Sequence, residues 1–511
     1  MHKSKYIFLA TFFVVIGFAA IAQKKTTSRP NIIVICADDL GWKEISAFGN
    51  TRIETPHIDS LGIRGTRFSQ AYATAPICSP GRAGLLTGRY QNRFGFEFLT
   101  PENLKDSSSR PVQAKHIIVN NNVGKFSLNG LIEPGVDPES FRKLNSGIPE
   151  TEITLGEALK SNGYKTAIIG KWHLGENVGF YPTENGFDYF YGCLGWGTMY
   201  AEETDNSVIS KPRFFERYLF PETRAGIFNI VRNKDAVVET RYLTDAFADE
   251  AVKFISTNKD KPFFLYLPFN AVHDPLQAKK EDFDAMPANL DSSIRIQLAM
   301  TKSLDDAVGK VTAALKALKI EDNTIVFFTS DNGGPTYFKT VDNSPLKGGK
   351  LSHFEGGLRV SYFIQYPGKI PAGKVYDKVV SNLDIFSTAI AAANAVMPDN
   401  RQLDGVNLIP YANGTDANAP HDELCWRNGY SKAIRKGDWK LYMNDRKGVQ
   451  YLYNLKNDIS ETTDLSEQYP EKVKELLKDF KKWEERTVKP SWQNIRNVLL
   501  PVGDDYYYFP I

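Results

Sequence analysis

Four short apolar runs divide the chain, and none of them alternates with polar residues as a half-exposed strand would. Runs of this length that are rich in β-branched and aromatic residues are typical of strands buried on both faces, as in a parallel sheet. Helical patterns lie between these runs, the longest at 294–318. Strands that alternate with helices predict an α/β fold whose large, mixed and mostly parallel sheet is sandwiched by helices. The predicted strands cover residues 30–37, 165–170, 262–267 and 324–329.

The pattern changes after residue 400, where short strands and turns replace the long apolar runs. Residues 430–442 and 449–455 predict short exposed strands, and 470–485 predict a charged amphipathic helix. We therefore predict a large domain over residues 23–400 and a smaller α+β domain with a short antiparallel sheet over 401–511.

Three other stretches have weaker patterns. Residues 107–149 are polar and indicate an insertion, whereas 199–236 are irregular and rich in aromatic residues and arginine, which predicts loops. The aromatic tail at 506–510 could pack on the body or form part of a sugar-binding rim, and packing is the favoured interpretation.

The amino terminus has the pattern of a secretory signal peptide over residues 1–22. Basic residues precede an apolar run at 6–19, and a small-x-small cleavage site follows at 20–22. A membrane anchor is the alternative, but the run is short for a span of about 20 residues. We expect an exported chain that begins at Gln23 and has no stable membrane anchor.

The net charge and the cysteine count bear on whether the chain binds nucleic acid and whether it contains disulfide bonds. Hydrophobic residues make up 42% of the 511 positions, enough for a large core, and a net charge of +2 gives no field that would attract nucleic acid. The four cysteines are scattered and show no disulfide framework, although the chain is expected to be exported. Cys78 therefore stands out as a chemical group rather than as half of a bridge.

Polar side chains follow each of the four predicted strands at the point where the strand ends. Ligands of open α/β sheets bind outside the carboxyl ends of the strands, so these side chains should share one site. Asp38 and Asp39 alone fit equally well a turn in which one aspartate caps the next helix. With Asp331 and Asn332 they offer only oxygen ligands, which select Ca²⁺ or Mg²⁺. The strand-end set is Asp38, Asp39, Lys171, His173, His273, Asp331 and Asn332.

The segment 75–88 places a cysteine at a predicted helix entrance. Pro80 suits the first turn of a helix, and the free N–H groups there favour an anion near Cys78. Arg82 follows Cys78 by four positions and therefore lies on the same helix face. A thiol, a guanidinium and a helix N-terminus together suit a nucleophile that attacks an anionic ester, although a lone cysteine more often only packs in a core.

The pattern Cys-x-Pro-x-Arg at 78–82 resembles the signature of the type I sulfatases, in which the cysteine is oxidised to formylglycine. The resemblance implies an alkaline phosphatase-like fold. One block departs from the family, because 270–275 keeps only His273 of the Pro-His-x-Pro-His run found in many relatives. The blocks that look like sulfatase segments, in the family's order, are 37–41, 170–175, 329–334, 348–357, 434–441 and 453–458.

The resemblance also implies roles for individual residues. Formylglycine formed from Cys78 would be hydrated, would lie on one calcium ion (magnesium is possible) and would attack sulfur. Arg82 would orient this nucleophile, His273 would protonate the leaving oxygen, and His173 would act as the base that restores the aldehyde. Sulfate would be held by Lys171, His273 and Lys350. The implied metal ligands are Asp38, Asp39, Cys78 (as formylglycine), Asp331 and Asn332.

The expected substrate is a sulfated poly- or oligosaccharide, and the expected maturation partner is a formylglycine-generating maturase. Export to the periplasm or the medium and the aromatic-bearing insertions favour a carbohydrate over a steroid or lipid. Arg213, Arg217 and Arg224 could pair with further sulfate or carboxylate groups. Two alternatives stay open: a formylglycine-dependent phosphodiesterase or phosphonate monoester hydrolase, and a non-catalytic glycan-binding protein.

Overall fold

The structure is a computed structural model of the chain. The predicted signal peptide at 1–22 and most of the predicted insertion at 107–149 lie outside the described residues. The described residues are 29–100, 118–121, 124–127, 131–132, 146–211, 220, 223–397, 401–494 and 496–511.

The strands are short on the whole, and the predicted buried runs are among the longest of them. In chain order they are β1 Asn31–Ala37, β2 Thr66–Phe68, β3 Ala71–Tyr72, β4 Ile118–Asn121, β5 Gly124–Ser127, β6 Leu131–Ile132, β7 Lys165–Lys171, β8 Tyr189–Cys193, β9 Val208–Ser210, β10 Ile230–Arg232, β11 Asp235–Val237, β12 Phe263–Pro268, β13 Gln277–Lys279, β14 Thr324–Ser330, β15 Arg359–Val360, β16 Tyr362–Gln365, β17 Lys374–Tyr376, β18 Val380–Ser381, β19 Glu423–Asn428, β20 Ser431–Lys436, β21 Trp439–Asn444, β22 Val449–Asn454, β23 Arg496–Val502 and β24 Asp505–Pro510.

The α-helices connect these strands, and the helices predicted at 294–318 and 470–485 are found at Ser292–Ala317 and Pro470–Glu484. Other helices, such as Asp384–Ala393, were not predicted. The α-helices are α1 Pro56–Ile63, α2 Cys78–Thr87, α3 Leu155–Ser161, α4 Leu243–Asn258, α5 Lys280–Asp284, α6 Ser292–Ala317, α7 Glu355–Leu358, α8 Asp384–Ala393, α9 Ile409–Asn413 and α10 Pro470–Glu484.

A ten-stranded sheet in the order β11-β10-β8-β7-β12-β1-β14-β16-β2-β17 forms the centre of the molecule. Its five middle strands, β8 to β14 in that order, are parallel, and antiparallel pairings begin on either side of them. Val34 of β1 lies opposite Tyr266 of β12 and Phe327 of β14. The sheet confirms the predicted mixed, mostly parallel α/β architecture.

Both faces of the sheet are covered, which explains the unbroken apolar runs. In β1, Ile32 and Val34 pack into one hydrophobic cluster, whereas Ile33 and Ile35 pack into a second cluster on the other face. Helices α2, α3 and α8 contribute to the first cluster, and α4 and α6 to the second. Because each apolar side chain removed from water adds about 1.5–3 kcal/mol of burial free energy, a strand buried on both faces tolerates few polar residues.

The loops predicted at 199–236 are partly wrong. This stretch contains β9 and β10, and the hairpin of β10 and β11 extends the edge of the central sheet through an antiparallel pairing with β8. The strands are only three residues long and β11 is mostly exposed, so no apolar alternation marked them.

The exposed character predicted for the C-terminal strands is also wrong. Strands β19 to β22 form a four-stranded antiparallel sheet, but Ala433, Ile434 and Leu441 are fully buried. Helix α10 covers one face through Leu476 and Phe480, since these residues share a cluster with Ile434 and Leu441. The sheet and its helix are the small α+β unit that was predicted, and the boundary at residue 400 stays a prediction.

The aromatic tail forms β24, which pairs with β23 in a hairpin that also contacts β6. Tyr507 and Phe509 are buried in a cluster with Ile77 and Phe354, so the tail packs on the large sheet domain. Among the residues described, no helix is long and apolar enough to cross a membrane.

Candidate active site

The ends of the middle strands deliver acidic and amide side chains to one place, as predicted. Asp38 and Asp39 follow β1, and Asp331 and Asn332 follow β14, its parallel neighbour. The Asp39 N–H donates to Oδ1 of Asp331 over 3.3 Å, and the Asn332 amide donates to Oδ1 of Asp39 over 2.7 Å. Asp39 has a φ of 59°, in the left-handed region that aspartate tolerates better than most residues, where the chain turns at the strand end.

Helix α2 presents Cys78 to this acidic cluster. Its N-cap, Ile77, is extended and the helix begins at Cys78 itself, with Pro80 in the first turn as predicted. A Cβ at Gly81 would lie 2.5 Å from the carbonyl oxygen of Asp331, so the glycine lets the helix approach the strand end closely. The sulfur of Cys78 and carboxylate oxygens of Asp38 and Asp331 all lie within 4.8 Å of one another. Burial raises the pKa of the Cys78 thiol, which keeps it uncharged beside the carboxylates.

Arg82 joins the helix to both strand ends. Its Nε donates to Oδ2 of Asp331 over 2.9 Å, and Nη1 donates to the carbonyl of Lys171 over 3.0 Å. Nη2 lies 2.8 Å from Oδ2 of Asp331 and 3.4 Å from Oδ1 of Asp38. All these side chains are inaccessible to solvent, so the guanidinium is a fixed counter-charge to two buried carboxylates.

Two lysines complete the charge balance. Nζ of Lys171 donates to Oδ2 of Asp38, and Nζ of Lys350 donates to Oδ2 of Asp39, each over 2.6 Å. Burial raises the pKa of Asp38, but the charges of Lys171, His273 and Arg82 together outweigh burial and the net shift is downward. Burial lowers the pKa of Lys350, but Asp39 and the other acidic groups around it together raise it well above its usual value, so the lysine is charged at neutral pH.

The site also contains two histidines, and both are buried. Nε2 of His273 is 3.6 Å from Oδ2 of Asp39, and its Nδ1 lies 2.9 Å from the carbonyl of Asp274. His173 has a φ of 58°, and its buried Nδ1 makes no hydrogen bond with any described residue. Burial, and then the charge of Lys171, hold the pKa of His173 well below its usual range, so its imidazole is uncharged at neutral pH.

The donor set fits a hard divalent cation. Oδ1 of Asp38 and Oδ1 of Asn332 are buried and accept no hydrogen bond from the part of the chain that is described. Buried polar atoms are normally satisfied, and three carboxylates with one amide oxygen are ligands that Ca²⁺ and Mg²⁺ prefer. The site residues predicted from the strand ends therefore converge on a place suited to such an ion.

A cavity of about 190 Å³ opens onto this centre. Cys78, His173, His273 and Lys350 form its inner end, and the remaining wall is largely aromatic and aliphatic. Sequence reasoning missed most of that wall, because the apolar run in β23 (RNVLLPV) does not alternate and so does not show which side faces the cavity. The lining residues that were not predicted include Leu99, Trp196, Phe220, Tyr337, Phe338, Leu351, Arg496, Val498, Leu500 and Ile511.

Of the three arginines predicted to bind substrate, Arg224 alone is among the described residues. Arg213 and Arg217 lie outside the described residues. The guanidinium of Arg224 donates to backbone carbonyls of Met199 and Tyr200, and also to those of Glu239 and Arg241. Arg224 therefore holds two chain segments together, and it is not among the residues that line the cavity.

The fold and the site define an alkaline phosphatase-like α/β enzyme whose acidic cluster, buried cysteine and paired cations lie at the carboxyl ends of parallel strands. The family model described as Sulfatase matches residues 30–395. N-acetylgalactosamine-6-sulfatase of Sus scrofa is 32% identical over 409 residues, which are 78% of this chain and 68% of the relative. The chain belongs to the sulfatase family and is a sulfatase.

Two further comparisons show the range of its relatives. Steryl-sulfatase of Homo sapiens is 28% identical over 501 residues, 85% of this chain and 78% of the relative. The crystal structure of Ps i-CgsB in complex with k-i-k-neocarrahexaose has a TM-score of 0.76 and 34% identity, and the match covers 91% of this chain and 95% of that chain.

Proposed function

We propose that this sulfatase removes sulfate from a carbohydrate, using formylglycine made from Cys78 and one calcium ion. The observation that carries the proposal is the position of Cys78. It stands at the N-terminus of α2, between the acidic cluster and the cavity, within 4.8 Å of two carboxylates. A nucleophile at residue 78 would face both a bound cation and the substrate.

The proposed calcium ligands are the side-chain oxygens of Asp38, Asp39, Asp331 and Asn332. When bound, a calcium ion lowers the pKa of a hydroxyl attached to it and polarises a sulfate oxygen. Arg82 keeps Asp331 oriented through its two contacts to Oδ2, at 2.9 and 2.8 Å. The unsatisfied oxygens of Asp38 and Asn332 support this assignment. Magnesium has the same ligand preference but demands a stricter octahedral geometry.

The other residues of the site have separate proposed roles in hydrolysis of the sulfate ester. Formylglycine at residue 78, once hydrated, would supply a hydroxyl for attack on sulfur. Lys171 and Lys350 lie beside the carboxylates and offset the negative charge that builds up as the S–O bond breaks. His273 lines the cavity and protonates the leaving sugar oxygen. His173 accepts a proton when sulfate is expelled and the aldehyde returns.

The carbohydrate assignment rests on the cavity wall and on the relatives. Trp196, Phe220, Tyr337 and Phe338 line the cavity, and aromatic faces are suited to pack against sugar rings. The names of two similar proteins contain a sugar or a sugar oligomer. Steryl-sulfatase is also similar, and aliphatic side chains share the wall, so a steroid sulfate is the necessary competitor in any substrate test.

Maturation and location follow from the same proposal. A formylglycine-generating maturase would act on Cys78 before or during folding, because the thiol is buried in the folded chain. The signal peptide proposed at 1–22 would direct the enzyme to the periplasm or the medium.

The modification is tested by peptide mass analysis of the purified protein. Conversion of the thiol to an aldehyde should reduce the mass of the peptide carrying Cys78 by about 18 Da, our value for replacing sulfur and two hydrogens by oxygen. Cys78→Ala should abolish sulfatase activity, whereas Cys425→Ala, which also removes a buried thiol, should retain it. Full activity of protein that carries only the unmodified thiol would refute the modification.

The metal is tested by thermal unfolding with and without a chelator. At a calcium concentration 100 times Kd, binding adds about 2.7 kcal/mol, so EDTA should lower Tm and added calcium should restore it. Asp331→Asn should lose this calcium response. Asp282→Asn also removes a buried, ion-paired carboxylate but lies away from the site, and it should keep the response. An unchanged Tm in EDTA for the wild type would contradict the assignment.

The substrate class is tested with a panel of sulfated mono- and oligosaccharides, a steroid sulfate and an aryl phosphate diester. We expect the highest kcat/KM on a sulfated saccharide. A preference for the phosphate diester would support the phosphodiesterase alternative, and a preference for the steroid sulfate would refute the carbohydrate assignment. Binding without turnover of any ester would support a non-catalytic glycan-binding protein.

A further inference from the structure

The outer wall of the catalytic cavity is built by the C-terminal hairpin, and it contains one cation. Side chains alternate along a strand, so residues two apart in β23 share a face. Arg496, Val498 and Leu500 are such a row, and all three line the cavity. The N–H of Ile511 donates to the carbonyl of Arg496 over 2.9 Å, which fixes the start of the strand next to the last residue of the chain.

The guanidinium of Arg496 has no acidic partner among the residues described. Its Nε is buried and makes no hydrogen bond with them, although the arginine as a whole is only partly buried. Lys350, which lines the same cavity, differs in this respect because its ammonium group donates to the carboxylate of Asp39. A buried N–H without an acceptor is unfavourable, so an anion that enters the cavity would satisfy a group for which the described residues provide no acceptor.

We propose that Arg496 binds a second oxyanion of the substrate, a carboxylate or a further sulfate group on the sugar that carries the reacting ester or on its neighbour. The proposal rests on the proposed function, since it assigns the substrate class of the same site. A guanidinium holds two oxygens of a carboxylate or sulfate with parallel hydrogen bonds, which an ammonium group cannot do. Arg496 is thus a specificity residue on the wall that the C-terminal hairpin contributes to the cavity.

The consequence is a preference for substrates with two negative groups. Val498, Leu500 and Ile511 surround the charge with apolar surface, where a charge-assisted hydrogen bond is stronger than in water. Losing it should therefore weaken binding of a doubly anionic substrate by about 10- to 100-fold. A small aryl sulfate, which has no second anion, should be cleaved at nearly the same rate with or without Arg496.

The test compares Arg496→Gln and Arg496→Lys with the wild type on three substrates. These are a monosulfated disaccharide, its analogue with a uronate carboxylate and its analogue with a second sulfate, and an aryl sulfate serves as the reference. Arg446→Gln is the matched control, because Arg446, in the turn between β21 and β22, lies over the ring of Tyr508 on the same hairpin and is not among the residues that line the cavity. Circular dichroism and Tm show whether each variant folds.

We expect KM on the doubly anionic substrates to rise for Arg496→Gln, less for Arg496→Lys, and not for Arg446→Gln. The analogue with the larger change identifies the second group as carboxylate or sulfate. Equal changes on the aryl sulfate, or wild-type kinetics on every substrate, would overturn the proposal.

The role of Arg496 can be tested even if the proposed carbohydrate sulfatase activity is not found. If the wild type hydrolyses no sulfate ester, calorimetric binding of the disulfated disaccharide to the wild type and to Arg496→Gln still decides whether Arg496 holds an anion. Weaker binding by the variant supports the proposal, and equal binding overturns it.

Discussion

A buried ion triad ties the C-terminal sheet to the segment that follows Lys350, and removing its lysine should destabilise the protein strongly. Nζ of Lys440 in β21 donates to Oε1 of Glu355 over 2.9 Å and lies 3.0 Å from Oε1 of Glu461. The N–H of Glu355 donates to the other oxygen of Glu461 over 2.7 Å. All three side chains are inaccessible to solvent. Lys440 is thus the cation that two buried carboxylates share.

The expected size of the effect follows from that burial. Lys440→Met keeps the aliphatic stem but leaves two carboxylates without this partner, and breaking a buried pair from one side is worth about 3–5 kcal/mol. With an unfolding entropy of about 2.1 cal/mol/K per residue, a chain of this length has about 1 kcal/mol/K in total. The variant should therefore lose about 3–5 °C in Tm.

The assay is thermal and urea unfolding of the wild type and three variants. Lys432→Met is the matched control, because Lys432 in β20 pairs at 2.7 Å with Asp445, which is largely exposed. Such a surface pair contributes about 0–1 kcal/mol. The double variant Lys440→Met/Glu461→Gln should lose less stability than Lys440→Met, since one of the uncompensated charges is gone. Equal losses for Lys440→Met and Lys432→Met would refute the reasoning.

Three further predictions concern other parts of the fold. Thr154→Ala removes the cap of α3, in which the Thr154 hydroxyl accepts from the Glu157 N–H over 3.1 Å, and should lower the free energy of unfolding by about 1 kcal/mol in urea titrations. Burial raises the pKa of Glu461 to about 7. Its contribution to the free energy of unfolding is therefore present at low pH and falls as the pH rises from about 4.5 to 7. Glu461→Gln should flatten that decline in unfolding experiments. Burial lowers the pKa of His421, but the charge and hydrogen bonds of Asp384 raise it, and the net shift is upward. The resulting stabilisation of the folded state is full below about pH 6.5 and is lost as the pH rises through the folded pKa. His421→Gln should therefore lower the free energy of unfolding more at low pH than at high pH.

The middle strands of the sheet and the acidic cluster could be predicted because the features that mark them lie in consecutive residues of the sequence. A strand such as Asn31–Ala37, buried on both faces, has no polar residue inside it, and the polar residues at its end must face the edge where ligands bind. The same rule placed Asp331 beside Asp38, although they are far apart in the chain. Hydrophobic periodicity does not show that Cys78 is a candidate nucleophile. That prediction came from the sulfatase-like pattern Cys-x-Pro-x-Arg at 78–82.

The outer wall of the cavity could not be predicted for the opposite reason. Arg496 and Ile511 reach the site only because the hairpin of β23 and β24 packs over Ile77 and Phe354, a contact that depends on the whole tertiary fold. The edge strands Ile230–Arg232 and Asp235–Val237 were missed because three residues cannot show a period. Arg224 was assigned to substrate from its charge alone, and in the fold its donors meet backbone carbonyls.

The site's charge arrangement explains how it can accept both a cation and an anionic ester. Three buried carboxylates face three buried cations, so the protein's own charges cancel before anything binds. Each lysine is one hydrogen bond from a carboxylate, at 2.6 Å, and can therefore respond when that carboxylate is shared with a divalent ion. A divalent cation would then leave the centre positive, which favours a sulfate ester over a neutral one. The members of the two sets are Asp38, Asp39 and Asp331, and Arg82, Lys171 and Lys350.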